Sequence, residues 1–147
     1  ANPPAEVTMS VRAQRPKSPV LVVEDDAEVR GTMVKLLENE GYRAVGAANG
    51  QEAFALIRSG IRPCLILLDL GMPVMDGREF RATQLRDGKL AIIPVVVFSA
   101  RPDVEEIATS ISAVAALKKP VRFEHLRRLL EEHCLPDETV RIGRTIH

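Results

Sequence analysis

The chain has 147 residues, of which 46% are hydrophobic and 27% charged, and its 20 basic side chains balance its 20 acidic ones. This length suits one domain, and the composition excludes a disordered or fibrous chain. The balanced charge lacks the basic excess of a nucleic-acid-binding domain, and no apolar run is long enough for a transmembrane helix. We therefore expect no direct nucleic-acid partner and no membrane partner.

The two ends of the chain differ from its middle. Residues 1–18 contain three prolines and lack apolar periodicity, so they are interpreted as a flexible arm or linker without an apolar signal segment. Residues 19–134 form the predicted domain, and residues 135–147 form a tail too short for an output domain.

Two cysteines, Cys64 and Cys134, lie 70 residues apart without the spacing of a metal site. This pattern favours a reducing, cytoplasmic compartment over a scaffold held by disulfides.

Five apolar runs alternate with segments of helical period. Four of them, at 20–23, 64–68, 92–98 and 114–117, are apolar at nearly every position. Continuous apolar runs predict strands buried on both faces, as in a parallel sheet. The second run along the chain, 42–48, is weaker and predicts an edge strand.

The segments between the runs predict five helices. Gly41 is placed to end the first helix. Asn49 with Glu52, and Asp76 with Glu79, have capping-box spacing for the second and third. Helical stripes mark the fourth and fifth at Val104, Ile107, Ala108 and Ile111, and at Phe123, Leu126, Leu129 and Leu130. This alternation predicts an α/β fold, a doubly wound five-stranded parallel sheet with five helices.

Polar side chains follow four of the predicted strands, at the edge where such sheets bind ligands. These residues are Glu24 and Asp25 after the first strand, Asp69 at the end of the third, Ser99 at the end of the fourth and Lys119 after the fifth. Closely spaced carboxylates repel unless a cation neutralises them, and oxygen ligands suit Mg²⁺ or Mn²⁺. A lysine and a hydroxyl suit phosphate oxygens. The pattern predicts a Mg²⁺-dependent phosphoryl site with Asp69 as its nucleophile.

Several of these polar residues also have simpler interpretations. Asp26 is in place to cap the first helix, where the helix dipole favours an acid. Lys118, Arg101 and Arg122 are interpreted as surface charges.

The chain resembles the receiver domain of two-component response regulators, the CheY-like family, over about residues 19–134. Four motifs carry the resemblance: VLVVEDD (20–26), LLDLGMPVMDG (67–77), VVVFSA (95–100) and KKP (118–120). They occur in order, each at the end of a predicted strand. The resemblance implies a flavodoxin-like sheet with strand order 2-1-3-4-5.

The resemblance also implies roles for the polar residues. The phosphorylated residue, which would become 4-aspartylphosphate, is Asp69, and the metal ligands are Asp25, Asp69 and the Gly71 carbonyl, with Glu24 acting through water. Ser99 and Lys119 would bind the phosphoryl oxygens, and the Lys119–Pro120 bond would be cis.

One position departs from the family pattern. Ala116 stands three residues before the lysine, where Tyr or Phe is usual, and residues 111–113 replace the usual Gly-Ala turn. An aromatic rotamer switch is therefore not expected. The remaining candidate switch is the fourth helix, whose Val104, Ile107 and Ile111 face small residues at positions 113, 115 and 116.

The leading hypothesis is a receiver domain of a phosphorelay, as in bacterial signalling, and not an enzyme beyond weak self-phosphorylation and self-dephosphorylation. A histidine kinase or phosphotransfer protein would donate the phosphoryl group to Asp69. The signal would pass to an unidentified protein through the surface of the fourth helix, fifth strand and fifth helix. We expect a monomer or a weak homodimer, either standing alone or as part of a larger protein.

Three alternative functions for this fold require different residues. A phosphatase similar to haloacid dehalogenases needs a second acid two residues after the nucleophile, where this chain has Gly71. A flavin-binding module needs a phosphate cradle after the first strand, where residues 24–26 are acidic. A degenerate receiver that only binds partners would not need the full set of acids, hydroxyl and lysine.

Overall fold

The computed structural model describes residues 18–71 and 77–134. The N-terminal arm up to residue 17, the tail 135–147 and Asp76 of the predicted third capping box lie outside the described residues. The strands are β1 (Val20–Val23), β2 (Ala44–Ala47), β3 (Leu65–Asp69), β4 (Val95–Ser99) and β5 (Ala115–Lys118). The helices are α1 (Ala27–Asn39), α2 (Gly50–Arg58), α3 (Gly77–Leu85), α4 (Val104–Ser110) and α5 (Phe123–His133).

All five strands pair in parallel, in the order β2-β1-β3-β4-β5. The predicted fold class and strand order are confirmed, and so is the position of β2 at an edge. The strands begin one to three residues later than predicted, except β1. None of the described helices is long and apolar enough to cross a membrane.

The continuous apolar runs become the interior of the sheet. Every residue of β1, β3 and β4 is buried. Two apolar clusters cover the two faces, as expected for a sheet sandwiched between helices. One contains Phe54 of α2 and Phe80 of α3, whose rings stack 4.6 Å apart, and the other contains Leu37 of α1 and Leu126 of α5.

Local capping interactions define the ends of two helices. Asp26 Oδ1 accepts hydrogen bonds from the backbone of Glu28 at 2.9 Å and Val29 at 3.1 Å, so the simpler interpretation of Asp26 as a helix cap is confirmed. Asn49 caps α2 as predicted. Gly41 follows α1 with φ of 93°, a conformation that favours glycine at the end of a helix.

A buried polar pair on α3 connects that helix to the end of α4. Arg81 is 7% exposed, and burial lowers its pKa. Its guanidinium donates to the carbonyl oxygens of Ile111 and Ser112, both at 2.9 Å, and to Gln84 Oε1 at 2.8 Å. Ser112 has φ of 57°, a left-handed conformation that favours glycine, and the guanidinium binds the carbonyl oxygen of this residue.

The two cysteines form a disulfide, and the expectation of a reduced pair is wrong. Cys64 precedes β3 and Cys134 caps the end of α5, with their Cα atoms 5.5 Å apart. The long separation in sequence concealed this pairing, because the cysteines meet only when α5 packs back across the sheet. The bond therefore ties the last helix to the start of the central strand β3.

We expect reduction of the disulfide to destabilise the domain by about 2–4 kcal/mol, because it would release a closed loop that spans 70 residues. Urea unfolding with and without a phosphine reductant measures the difference. The double variant Cys64→Ser/Cys134→Ser is the control and should unfold at one midpoint in both conditions. A wild-type protein whose midpoint ignores the reductant would contradict the prediction.

Candidate functional site

Three carboxylates meet at the carboxyl edge of the sheet. Glu24 and Asp25 follow β1, Asp69 is the last residue of β3, and ligand oxygens from the three lie within 4.8 Å of one another. Glu24 is 1% exposed and Asp69 6% exposed, whereas Asp25 faces solvent. The predicted acidic cluster is therefore present, with its open side at Asp25.

Lys119 brings a positive charge into this cluster from the loop after β5. Its Nζ lies 3.0 Å from Glu24 Oε1 and 3.6 Å from Asp69 Oδ1. The Lys119–Pro120 bond is cis, as the family resemblance implied. The ammonium also lies 5.0 Å from the centroid of the Phe98 ring, within the range of a cation–π contact.

The surroundings of Glu24 and Lys119 indicate that the cluster remains short of positive charge. Burial and the hydrogen bond with Asp69 raise the pKa of Glu24, although Lys119 opposes this. Burial alone would lower the pKa of Lys119, but its hydrogen bond with Glu24 and the charge of Asp69 raise it overall. The lysine is thus held charged while its buried partner is still disfavoured as a carboxylate. A hard cation with several waters fits such an oxygen-rich, partly open site, and Mg²⁺ has these properties.

The other predicted phosphate-binding group lies on the neighbouring strand. Ser99 ends β4 and is 5% exposed. Its hydroxyl oxygen accepts a hydrogen bond from the Arg101 backbone at 3.1 Å, and its carbonyl accepts one from Lys119 N at 2.9 Å. Across the site, Gly71 N donates to Asp69 Oδ1 at 3.3 Å. Ser99 and Gly71 therefore flank Asp69 on two sides.

The predicted switch residues form one apolar contact region between α4 and β5. Val104 and Ile107 are buried in the same cluster against which Ile111 and Ala116 pack. Ala115 belongs to the cluster on the opposite face of the sheet, so its predicted place beneath α4 is wrong. The reason is the alternation of side chains along a strand, which the apolar run concealed.

One aromatic ring lies close to β5, although the sequence indicated none there. Phe98 pairs with Leu117 in the sheet and is 1% exposed. It packs on the face away from Ala116. The Phe98 ring therefore does not replace the Tyr or Phe that would be usual at position 116.

A cavity of about 420 Å³ opens beside Lys119, between α1 and the loop that follows β5. Its walls include Val29, Met33, Leu36 and Phe98. It offers an apolar surface that continues directly from the charged cluster.

Sequence reasoning missed one basic residue that touches the acidic loop. Arg30 of α1 donates from Nη1 to the Glu24 carbonyl oxygen at 2.7 Å. The only signal in the sequence was Gly46 inside a strand, because a glycine there often marks a close approach by another group.

Comparison with known proteins agrees with this geometry. The family description "Response regulator receiver domain" matches residues 20–131. A response regulator receiver protein from Pseudomonas putida superposes with a TM-score of 0.73 at 30% identity, covering 80% of this chain and 98% of that one. The chemotaxis protein CheY4 of Vibrio cholerae gives 0.71 at 28% identity, with 80% and 99% covered.

Curated relatives are longer than the matched region. The positive alginate biosynthesis regulatory protein of Pseudomonas aeruginosa is 36% identical over 122 residues, which is 80% of this chain and 48% of that protein. The transcriptional regulatory protein PdtaR of Mycobacterium tuberculosis is 34% identical over 113 residues, which is 76% of this chain and 54% of that protein. The chain spans about half the length of these relatives.

The family match, the two structural likenesses and the acidic cluster at the end of β1 and β3 agree on one assignment. The chain belongs to the response regulator receiver domain family of two-component signalling, as a signalling module rather than a classical enzyme.

Proposed function

We propose that this receiver accepts a phosphoryl group on Asp69 and relays the signal through protein contacts. The observation that carries the proposal is the position of the Asp69 carboxylate. It lies within 4.8 Å of two other acids and has the Lys119 ammonium 3.6 Å from Oδ1. A buried nucleophile flanked by a cation site and a lysine suits attack on a phosphoryl group.

The metal ligands in this proposal are Asp25, Asp69 and the Gly71 carbonyl, with Glu24 acting through water. Mg²⁺, or Mn²⁺ in its place, would supply the positive charge that lets an anionic carboxylate approach an anionic phosphoryl group. Lys119 already neutralises part of the Glu24 charge, so the exposed carboxylate of Asp25 is the acid most available to a cation.

In this proposal Asp69 is the nucleophile, and Lys119 and Ser99 bind the phosphoryl oxygens. An Asp69 oxygen forms a new bond to phosphorus while the phosphorus–nitrogen bond of a donor phosphohistidine breaks, and the bonding electrons stay on the imidazole. The Lys119 ammonium, which pairs with Glu24 and Asp69, would instead form an ion pair with a phosphoryl oxygen on Asp69. Ser99 can donate its hydroxyl to another oxygen, because in the described structure that hydroxyl oxygen accepts a hydrogen bond.

The partner class follows from the family, since receiver domains work with histidine kinases. We propose a histidine kinase or a histidine phosphotransfer protein as the donor. The apolar cavity between α1 and the loop after β5 supports a protein donor, because it adjoins Lys119 and would bury apolar surface on docking.

We further propose a cytoplasmic location, where donors draw their phosphoryl groups from ATP, and a monomer or weak homodimer. The Cys64–Cys134 disulfide is unusual for a reducing compartment, so this location rests on the donor class and not on the cysteines. Self-phosphorylation from small donors and slow self-dephosphorylation would be its weak activities. The downstream partner would be a protein that binds the surface of α4, β5 and α5, and not nucleic acid directly.

Metal binding should depend on Asp25 and Asp69 and not on the acid next to them. We expect Mg²⁺ titration to perturb backbone NMR signals around the cluster. Asp25→Asn or Asp69→Asn should raise the Mg²⁺ dissociation constant at least about tenfold, because each variant loses a carboxylate ligand. Asp26→Asn is a matched control, because Asn preserves the helix cap while removing one nearby charge. An unchanged response in Asp25→Asn would contradict the assignment.

Phosphorylation should require Asp69. Incubation with phosphoramidate and Mg²⁺ is expected to add one phosphoryl group, about 80 Da, to the intact mass. Asp69→Asn should abolish this addition because the amide is a poor nucleophile. Lys119→Met should slow it, and labelling of Asp69→Asn at the wild-type level would defeat the proposal.

The two ends of α4 are held differently, and this bears on its role as the switch. At the start of α4, Asp103 makes no capping hydrogen bond, since its carboxylate pairs with Arg101 at 3.0 Å. At the end, Arg81 binds the carbonyls of Ile111 and Ser112. The weakly held start follows directly on the loop after Ser99, so a shift of that loop would move the start of α4 first.

We therefore expect beryllofluoride, a phosphoryl mimic, to change hydrogen exchange most at residues 101–107 and less at 110–112. Asp69→Asn, which cannot bind the mimic in the same way, is the control and should show no change. Exchange differences restricted to β5, with α4 silent, would refute this proposal.

A further inference from the structure

Arg30 is a basic residue that binds the backbone of the acidic loop. It lies on the first turns of α1, and its Nη1 donates to the Glu24 carbonyl oxygen at 2.7 Å, a short charge-assisted hydrogen bond. The bond spans the chain from the end of β1 to the second turn of α1. Arg30 therefore closes the loop that carries both Glu24 and Asp25 without touching either carboxylate in any hydrogen bond or ion pair described for it.

Gly46 makes room for this arginine. A Cβ atom added at Gly46 would lie 3.0 Å from both Cγ and Cδ of Arg30 and 3.5 Å from Nε. Gly46 pairs with Val22 in the sheet, beside the last residues of β1. The aliphatic stem of Arg30 thus crosses the β2 backbone where only glycine leaves the space unfilled.

The loop has a second anchor from the same strand. Glu24 N donates to the Ala47 carbonyl at 3.0 Å, directly after Gly46. The backbone of Glu24 is therefore held at its N–H by β2 and at its carbonyl by the arginine that lies over β2. These two bonds fix the direction in which the chain leaves β1 and hence where Asp25 projects.

We propose that Arg30, seated over Gly46, is a positioning residue for the metal site. It fixes the loop that presents Glu24 and Asp25, so that Mg²⁺ affinity depends on a side chain that does not contact the metal. This inference rests on the proposed metal site and adds a determinant of its affinity. Groups that orient ligands from behind commonly change metal affinity by about 10- to 100-fold when removed.

A simpler electrostatic role makes the opposite prediction. If Arg30 acted only as a positive charge near three carboxylates, its removal would reduce repulsion of the cation and tighten Mg²⁺ binding. If Arg30 positions the loop, its removal weakens binding despite the lost repulsion. The sign of the change therefore separates the two roles.

The experiment measures Mg²⁺ dissociation constants by NMR titration of the full chain, with thermal midpoints recorded for each variant. Arg30→Met keeps the aliphatic stem but removes the donor and the charge. Gly46→Val keeps the arginine charge but displaces its stem, and a β-branched residue suits a strand. Lys118→Met removes an exposed charge near the site and serves as the matched control.

We expect Arg30→Met and Gly46→Val each to weaken Mg²⁺ binding about tenfold with nearly unchanged thermal midpoints. Gly46→Ala should weaken it less, because a flexible side chain can yield to a single methyl group, and it replaces Gly46→Val if that variant does not fold. Lys118→Met should leave binding unchanged or slightly tighter. Arg30→Lys, which keeps a charged donor on a similar stem, should recover part of the loss.

Wild-type or tighter affinity in Arg30→Met overturns the inference, and so does wild-type affinity in both Gly46 variants. Failure of the metal site itself is seen separately. A wild-type protein that shows no response to Mg²⁺ would reject the proposed site, whereas a responsive wild type with unaffected Arg30 and Gly46 variants would reject only the role of Arg30.

Discussion

Mutual repulsion among Glu24, Asp25 and Asp69 is the constraint around which this domain is organised. Three carboxylates within 4.8 Å are tolerated, although two of them are buried, because the Lys119 ammonium pairs with both buried acids, Glu24 and Asp69. The lysine reaches them from the loop after β5, the edge strand on the other side of β4. Parallel pairing of β1, β3, β4 and β5 is what delivers acids, hydroxyl and ammonium to the same edge. The residual negative charge is what makes the edge receptive to a cation.

The site connects to both faces of the sheet, but by different means. On one face, Lys119 lies near the Phe98 ring, which is packed among the residues of α1 and α5. On the other, the small side chain of Ala116 packs against the cluster that contains Val104 and Ile107 of α4. The two faces therefore differ next to the site, since one carries the apolar cavity beside Lys119 and the other carries small side chains under α4. Such an arrangement suits a domain that docks its donor on one side and changes shape on the other.

Much of this was predictable from sequence, because it depends on rules that act along the chain. Burial on both faces identified the strands, and their parallel order placed Asp69, Ser99 and Lys119 at one edge. Features that depend on contacts between helices were not predictable in this way. The disulfide of Cys64 and Cys134 required α5 to cross the sheet, and the faces of Ala115 and Ala116 required the pleat to be known. The burial of Arg81 was not predictable either, because its carbonyl partners, Ile111 and Ser112, come from a distant part of the chain.

The disulfide also determines where the domain can be joined to anything else. Cys64 N bonds to the Pro19 carbonyl at 3.0 Å, and its sulfur lies 3.4 Å from the Ser18 carbonyl while bonded to Cys134. The first and last described residues therefore lie together, at the amino edge of the sheet and opposite Asp69. The disulfide fixes Cys134 beside Cys64, and a backbone hydrogen bond from Cys64 fixes Pro19 there, so the full length of the strands separates both ends of the described domain from the acidic edge.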